Sequence, residues 1–307
     1  MIRTLIQTNN TPFFRQLRAS IKAIEIEETY DLYVNRPLGL LLAFVAKYLN
    51  LTPIEVSLMS LVVGMFGGYF FLFQQSVNDI LVGALLILFA GVLDSADGQL
   101  ARLTKQSSQA GMIIDGTIDA FVHISIYFFG AFAFYPQYGF AILLLSLCSI
   151  LTHHIQASIY DFYKNEFLYL YGDYKSFRNL DPKEIQAIPF QSNSRFLQWI
   201  VDGYQSYVYR QNLWITRKAD KRRLFEQAKQ MYPHQFKLLY YKTYVPFFRY
   251  LALCCGTIVH SYLIIVFSLF HRFDLYLLVN LLLLVPSGLI SWRLSIVDHR
   301  FLKLFHR

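Results

Sequence analysis

The sequence contains few charged residues for its length. They make up 16% of its 307 residues, whereas a soluble domain usually carries about 25%. Hydrophobic residues make up 55% of the chain, and the mean hydropathy is +0.36. This composition makes an ordinary soluble domain a poor interpretation and directs attention to long apolar stretches.

Cysteine is also scarce, and the N-terminus lacks the features of a signal peptide. Cys148, Cys254 and Cys255 all lie in apolar stretches, so no disulfide framework is expected. The first residues, MIRTLIQTNN, have no charged start, apolar centre or small-residue cleavage site. We therefore expect this segment to remain in the mature protein.

Six apolar stretches are long enough to cross a bilayer, for which about 20 residues are needed. They are residues 54–73, 78–97, 110–134, 139–161, 244–270 and 274–297. The sequence therefore predicts an all-α integral membrane protein with six transmembrane helices.

Positive charge is distributed unevenly among the predicted loops. With the N-terminus inside, the outer loops are residues 74–78, 135–139 and 269–274, and they contain one of the 28 Lys and Arg residues, Arg272. Positive residues concentrate in the cytoplasmic loops of membrane proteins. We therefore expect a multi-pass protein of the cytoplasmic (inner) membrane, with the loop between spans two and three facing the cytoplasm.

The chain before and within span one carries three local signals. Residues 37–50 (PLGLLLAFVAKYLN) are too short to span and contain one lysine, which predicts an amphipathic helix lying along the membrane interface. Span one begins at LTPIEVS, where Thr52 is the predicted N-cap and Glu55 completes a capping box. Gly64 and Gly68 have the spacing that lets two membrane helices pack closely.

A long segment of different composition, residues 162–243, separates spans four and five. It contains RKADKRRLFEQAKQMY (217–232), whose charges suit a helix exposed to water or to anionic headgroups. We interpret the segment as a cytoplasmic helical insertion. Four regions are therefore predicted: an N-terminal segment with the interfacial helix (1–50), spans one to four (51–161), the insertion (162–243), and spans five and six with a basic C-terminus (244–307).

Four aspartates lie around the loop between spans two and three, in LDSADGQLARLTKQSSQAGMIIDGTIDA (93–120). Asp94 and Asp97 are three residues apart, and Asp115 and Asp119 are four apart, so each pair lies on one face of its helix. The two antiparallel helices are joined by a short loop, which lets the pairs meet at one depth. Each ionised carboxylate at the centre of a bilayer would cost about 2.5–3.5 kcal/mol on insertion scales.

Carboxylates that face one another require cations. Oxygen ligands without His or Cys suit hard ions such as Mg²⁺ or Mn²⁺, and two such ions about 4 Å apart commonly hold a pyrophosphate for in-line displacement. Gly98 and Gly111 flank the aspartates and let a ligand approach the backbone. The guanidinium of Arg102 has a fork geometry that suits phosphate oxygens. The sequence therefore predicts a site for two divalent cations and a diphosphate.

These residues form the pattern D-x2-D-G-x2-A-R-x8-G-x3-D-x3-D, which resembles the signature of the CDP-alcohol phosphotransferase (CDP-alcohol phosphatidyltransferase) family. The matching positions are Asp94, Asp97, Gly98, Ala101, Arg102, Gly111, Asp115 and Asp119. The resemblance covers about residues 30–160, and it extends to spans five and six by topology only. One position departs from the family pattern, since TPIEVS has Ile54 where the family commonly has asparagine.

By this resemblance, the chain transfers a phosphoalcohol from a CDP-alcohol to an acceptor hydroxyl and releases CMP, as in phospholipid biosynthesis. Asp94, Asp97, Asp115 and Asp119 would bind two divalent cations, Mg²⁺ or Mn²⁺, and Asp119 would also be the general base. The CDP site would be lined by Gly98, Ala101, Arg102, Ser108, Gly111 and Ser57. The family resemblance also implies a homodimer. Membrane lipids are further expected partners, and nucleic acid is not an expected partner.

The donor and the acceptor are less sharply defined than the reaction. CDP-diacylglycerol is the first donor to consider, and the RPLG turn (36–39) resembles family members that act on inositol phosphates. Inositol phosphate is therefore the first acceptor, with glycerol phosphate and serine next. Lys164, Arg249 and Arg293 are candidates for an acceptor site that binds phosphate, while their alternative role is contact with lipid headgroups. The reversed arrangement, CDP-choline or CDP-ethanolamine with diacylglycerol as acceptor, stays open.

Two other function classes compete with this interpretation. Membrane prenyltransferases also hold a diphosphate with aspartates and Mg²⁺, but they typically have two separated aspartate-rich motifs and release pyrophosphate. Acids inside a membrane also mark the ion paths of transporters, yet spans five and six contain almost no acids. Histidines within the spans are interpreted as packing residues: His123, His153, His154 and His260.

Overall fold

The structure, a computed structural model, describes residues 2–21, 23–107, 109–172, 202–203, 206 and 219–305. Among these residues, every regular element is a helix. Six stretches are long and apolar enough to cross a membrane: Pro53–Phe70, Val77–Leu103, Ile113–Phe132, Phe140–Leu170, Pro233–Leu269 and Phe273–Leu302. The predicted all-α class and the six predicted spans are confirmed.

The helices follow one another along the chain as α1 to α12, with a π-helical turn at Asp31–Asn35 before α3. Their bounds are α1 Ile2–Thr8, α2 Pro12–Ser20, α3 Arg36–Tyr48, α4 Pro53–Phe70, α5 Val77–Leu103, α6 Gln109–Phe132, α7 Tyr135–Tyr138, α8 Phe140–Leu170, α9 Ala219–Met231, α10 Pro233–Cys255, α11 Thr257–Leu269 and α12 Phe273–Leu302.

The chain forms two compact units. The first comprises Met1–His153 and Thr257–Leu281, and the second comprises His154–Gly256 and Leu282–Arg307. The segment that carries the four aspartates lies in the first unit. The candidates for an acceptor site, Lys164, Arg249 and Arg293, lie in the second.

The start of α4 has the predicted cap. The Thr52 side chain accepts a hydrogen bond from the Glu55 backbone N–H, and the Glu55 carboxylate accepts one from the Thr52 backbone N–H at 2.7 Å. This reciprocal capping box satisfies two N–H groups that would otherwise lack helical partners. It fixes the first turn of α4, which carries Ser57.

The predicted close helix packing occurs between α4 and α6. A Cβ atom added at Gly64 would lie 2.6 Å from Val122 Cγ2, and one added at Gly68 would lie 2.4 Å from Ser125 Oγ. Only a residue without a side chain allows the backbones to approach this closely. On its other side, α4 exposes apolar residues such as Phe66, which is 60% exposed and suits contact with lipid.

The predicted interfacial segment is helical, as α3, and Pro37 lies in its first turn. Together with α1 and α2, it encloses a small apolar cluster around Leu17, Leu32 and Leu40, each fully buried. The location of α3 along a membrane interface stays a prediction.

Several spans differ in length from their predicted bounds. The predicted span 244–270 is instead two helices, α10 and α11, because the backbone is extended at Gly256. Glycine is a poor helix former, so a break at this position costs little. Two other helices run past their apolar stretches: α8 continues to Leu170, and α5 continues to Leu103 through the whole first half of the aspartate motif.

The interior of the first unit contains a hydrogen-bonded network of aromatic and imidazole side chains. Tyr127 Oη lies 2.9 Å from His153 Nδ1 and 2.6 Å from Tyr276 Oη, and it accepts a hydrogen bond from Asn280 Nδ2 at 3.1 Å. His260 Nδ1 lies 3.1 Å from Tyr276 Oη. Buried polar groups need such partners, which agrees with the interpretation of His153 and His260 as packing residues.

The second unit has an aromatic interior. Phe236, Tyr240 and Phe301 are almost completely buried and stack or meet edge to face. Helix α9 packs onto this cluster through Phe225, which is 3% exposed, so this helix is not simply solvated. The predicted insertion as a whole stays a prediction, because much of residues 162–243 lies outside the described residues.

Candidate active site

The two halves of the aspartate motif lie at the facing ends of α5 and α6. Helix α5 ends at Leu103, and α6 begins at Gln109. The short connection turns sharply, with Lys105 in the left-handed region at φ 58°. Because the helices are joined here, the last turns of α5 and the first turns of α6 are neighbours.

Three of the four predicted aspartates come together. Asp94, Asp97 and Asp115 each offer a carboxylate oxygen, and these atoms all lie within 4.8 Å of one another. Asp97 is buried, whereas Asp94 and Asp115 are half-buried. Among the described residues, this group has the geometry of a metal site, and its oxygens are the donors that hard divalent cations prefer.

Asp119 lies one helical turn beyond Asp115 on α6, and its side chain is exposed. It is not part of the group of three, although its charge acts on Asp94. The backbone carbonyl of Asp119 lies 2.8 Å from His123 Nδ1. Asp119 therefore has an accessible carboxylate at the border of the cluster.

Asp97 is held by a residue from α4. The Ser57 hydroxyl donates a hydrogen bond to Asp97 Oδ2 and also lies 3.0 Å from the Pro53 carbonyl. Ser57 is itself buried. The residue predicted for the CDP site thus contacts a metal-ligand candidate, and the capping box of α4 fixes its position.

Gly98 and Arg102 are neighbours on one face of α5. A Cβ atom added at Gly98 would lie 3.5 Å from both Nη1 and Nη2 of Arg102. The guanidinium of Arg102 therefore lies over this turn, at ordinary van der Waals distance from the position that a side chain at residue 98 would take. The group can present a fork of N–H donors beside the carboxylates, the arrangement that binds phosphate oxygens.

The other predicted CDP-site residues follow on the same two helices. Ala101 is half-buried in the last turn of α5, and Gly111 is half-buried one turn before Asp115 on α6. Ser108 lies outside the described residues. Their predicted contacts with the nucleotide stay predictions.

The three basic residues predicted for the acceptor site all belong to the second unit. Lys164 is half-buried on α8, with Nζ 5.7 Å from the centre of the Tyr160 ring. Arg249 and Arg293 are exposed on α10 and α12. Their part in acceptor binding stays a prediction.

Sequence reasoning missed a second set of polar contacts on α5. Arg36 donates a hydrogen bond from Nη1 to Ser95 Oγ at 3.2 Å, and Gln99 Nε2 donates to the Arg36 carbonyl at 3.0 Å. Ser95 and Gln99 lie inside the motif at positions that its pattern leaves variable. Their spacing of four residues could have indicated a shared contact, since it places both side chains on one face of α5.

Residues 50–164 match the family model described as CDP-alcohol phosphatidyltransferase. The match contains α4, α5, α6 and most of α8, and thus every aspartate of the motif. No curated protein matches the chain at a significant level.

Residues 50–164 are therefore similar to a CDP-alcohol phosphatidyltransferase domain, and the members of that family are transferases of phosphate-containing groups. Members of this family transfer a phosphoalcohol from a CDP-alcohol to an alcohol acceptor, in general with a divalent metal. The predicted family and enzyme class are confirmed. The three converging carboxylates provide a donor set that fits such a metal.

Proposed function

We propose that the protein transfers a phosphatidyl group from CDP-diacylglycerol to a small polar alcohol and releases CMP. The observation that carries the proposal is the convergence of Asp94, Asp97 and Asp115, with their oxygens within 4.8 Å of one another, inside a CDP-alcohol phosphatidyltransferase domain. Three carboxylates at this separation repel one another unless cations lie between them. A diphosphate substrate with divalent cations would remove that repulsion.

Each residue of the site has a proposed part in the reaction. Asp94, Asp97 and Asp115 hold the cations, Mg²⁺ or Mn²⁺, with Asp119 at the border of the cluster. When bound, two divalent cations stabilise the charge that develops on the phosphoryl oxygens. The guanidinium of Arg102, with Gly98 below it, holds a phosphate oxygen of the nucleotide, and Ala101, Gly111 and Ser108 complete the CDP site.

The bonding changes balance within the two substrates. The acceptor oxygen forms a bond to the phosphorus that bears diacylglycerol, and the bond from that phosphorus to the bridging oxygen breaks, so that CMP leaves with the bridging oxygen. Asp119 takes the proton of the acceptor hydroxyl. Its exposed carboxylate supports this role, since a base must reach a second substrate.

The acceptor is proposed to be inositol phosphate first, with glycerol phosphate and serine as the next candidates. Lys164, Arg249 and Arg293 are proposed to bind its phosphate. The exposure of Arg249 and Arg293 supports this assignment, because an exposed guanidinium is accessible to an anion.

The protein is proposed to lie in the cytoplasmic membrane with the carboxylates on the cytoplasmic side. The six apolar helices are those of a multi-pass membrane protein. The concentration of Lys and Arg on one side of the predicted topology supports the orientation.

The direct test is an acceptor screen with purified protein in nanodiscs, in which release of CMP from CDP-diacylglycerol is measured. Inositol phosphate should give the fastest release, EDTA should abolish it, and added Mg²⁺ or Mn²⁺ should restore it. Release of CMP only with diacylglycerol and a CDP-choline or CDP-ethanolamine donor would assign the reversed arrangement. Release of pyrophosphate from a prenyl donor, without any CMP, would refute the proposal.

Asp79→Asn is the matched control for variants of the motif. Asp79 is an acid on the same helix, α5, in its first turn, far along the helix from Asp94. The variant should keep normal CMP release, whereas Asp94→Ala should lose release and metal dependence together.

A further inference from the structure

The chain before residue 50, which the family match does not include, contacts the turn of α5 that carries the aspartates. Gln99 Nε2 lies 3.1 Å from the Ser20 hydroxyl and donates to the Arg36 carbonyl at 3.0 Å. Arg36 Nη1 donates to Ser95 Oγ at 3.2 Å. Ser95 directly follows Asp94 in the chain. The N-terminal segment is thus bonded to the metal-site helix at two successive turns.

Helix α3 approaches this turn as closely as a backbone can. A Cβ atom added at Gly39 would lie 2.9 Å from Gln99 Oε1, 3.0 Å from Ser95 Cβ and 3.1 Å from the backbone nitrogen of Ala96. Closely packed interiors transmit displacement, because they contain no space to absorb it. A shift of α3 would therefore move the turn that carries Asp94 and Asp97.

Arg36 also acts on the site through its charge. Its guanidinium forms an ion pair with Glu27, with Nε 2.9 Å from Oε1, and the Glu27 side chain is 1% exposed. Burial opposes the charged form of Arg36, but the carboxylates of Glu27, Asp31 and Asp94 hold its pKa above the usual value. The side chain therefore remains a cation, held between Glu27 and the site.

We propose that Arg36 is a positioning residue for the carboxylate site: through Ser95 and its charge it fixes the turn of α5 that presents Asp94 to the cations. This inference rests on the proposed function, since it presumes that the three carboxylates bind divalent cations. By this proposal, the N-terminal segment contributes a residue to the site, although the family match begins only at residue 50.

A single Arg36→Met variant would remove the Arg36 cation from the buried Glu27 carboxylate, and breaking a buried ion pair by loss of one partner is strongly destabilising. The double variant Glu27→Gln/Arg36→Met avoids this, because it removes one negative and one positive charge together. Its net electrostatic effect on the cations is small, so a change in metal affinity reports a change in position. Ser95→Ala removes only the hydrogen bond between the Arg36 guanidinium and Ser95, and leaves the one between Gln99 and the Arg36 carbonyl. It tests the positioning role if the double variant does not fold.

The measurement is a titration of purified protein with Mn²⁺ alone, followed by the electron paramagnetic resonance signal of free Mn²⁺. The Kd should rise about tenfold in the double variant, as is usual for residues that orient metal ligands. Ser95→Ala should raise it by a smaller factor, and Arg36→Lys, which keeps the charge without the fork, should lie between wild type and the double variant. Arg15→Met, at an exposed arginine of α2, is the control and should bind Mn²⁺ like wild type.

The outcomes separate the two levels of the proposal. Wild-type protein that binds no Mn²⁺ would refute the metal site, and both proposals would fail. Wild-type binding together with an unchanged or lower Kd in the folded variants would refute the positioning role alone.

Discussion

Each of the two units contains a carboxylate site, and the carboxylates have different partners in the two sites. In the second unit, Asp298 accepts a hydrogen bond from the Tyr244 hydroxyl at 2.8 Å and pairs with Lys221 Nζ at 3.3 Å. In the first unit, Asp94, Asp97 and Asp115 lie within 4.8 Å of one another, and their carboxylates repel.

This difference distinguishes a carboxylate that stabilises the fold, Asp298, from carboxylates that are suited to bind a ligand. Lys221 also donates to the Ser295 carbonyl at 3.1 Å, so one cation, one hydroxyl and one carboxylate form a balanced group that holds α9, α10 and α12 together. In the group of three carboxylates, Ser57 donates a hydrogen bond to Asp97, and the charges of Arg102 and Arg36 act on Asp97 and Asp94. The carboxylates still repel one another, and a ligand that brings positive charge would relieve this repulsion. Groups of residues that lower the stability of the folded protein are often functional sites.

The largest effect is expected at Asp97. Asp97→Asn keeps the shape of the side chain but removes a charge that holds the cations, which should cost about 10⁴-fold in CMP release. Because the change also relieves repulsion, the thermal stability of the metal-free protein should not fall. Loss of activity together with a large fall in melting temperature would mean that Asp97 is structural, like Asp298.

Asp119→Asn should have the next largest effect. Removal of a general base lowers kcat by roughly 10²–10⁴-fold, whereas binding of CMP and Mn²⁺ should stay close to wild type, because Asp119 lies outside the group of three. Calorimetric binding and turnover should be measured on the same preparation. Near-normal turnover would show that another group accepts the proton.

Asp298→Ala should affect stability and leave catalysis almost intact. It strands the Lys221 cation and the Tyr244 hydroxyl, which should cost about 2–3 kcal/mol and lower the midpoint of thermal inactivation in detergent. The rate of CMP release at low temperature should stay within about threefold of wild type. A loss as large as that of Asp97→Asn would remove the contrast between the two sites.

The smallest effects concern how closely the helices pack in each unit. Gly68→Ala brings a methyl group 2.4 Å from Ser125 Oγ, and overpacking of this kind costs about 1–3 kcal/mol. Gly288→Ala, on α12 of the second unit, meets nothing within 4 Å, and it should stabilise by about 0.5–1 kcal/mol. The melting temperatures of both variants should be measured. Equal changes in melting temperature would show that the close packing at glycine is not specific to α4 and α6.

Much of the fold was readable from the sequence because it depends on local rules. Apolar stretches of bilayer length gave the six spans, Thr52 and Glu55 gave the start of α4, and Gly64 and Gly68 gave a close helix contact. The errors concern helix ends. Helix α8 continues past its apolar stretch, and the break at Gly256 depends on one backbone conformation that apolar composition does not report.

The motif by itself predicted where the candidate site lies, because the spacing of Asp94, Asp97, Asp115 and Asp119 on two joined helices places all four at one end of the pair. Only the tertiary structure decided that three of them form the compact group, that Ser57 supports Asp97, and that Arg36 reaches Ser95 across 59 residues of chain. Periodicity and spacing describe neighbours along one helix or one hairpin. Contacts between distant segments depend on how complete helices pack, and no short stretch of sequence contains that information.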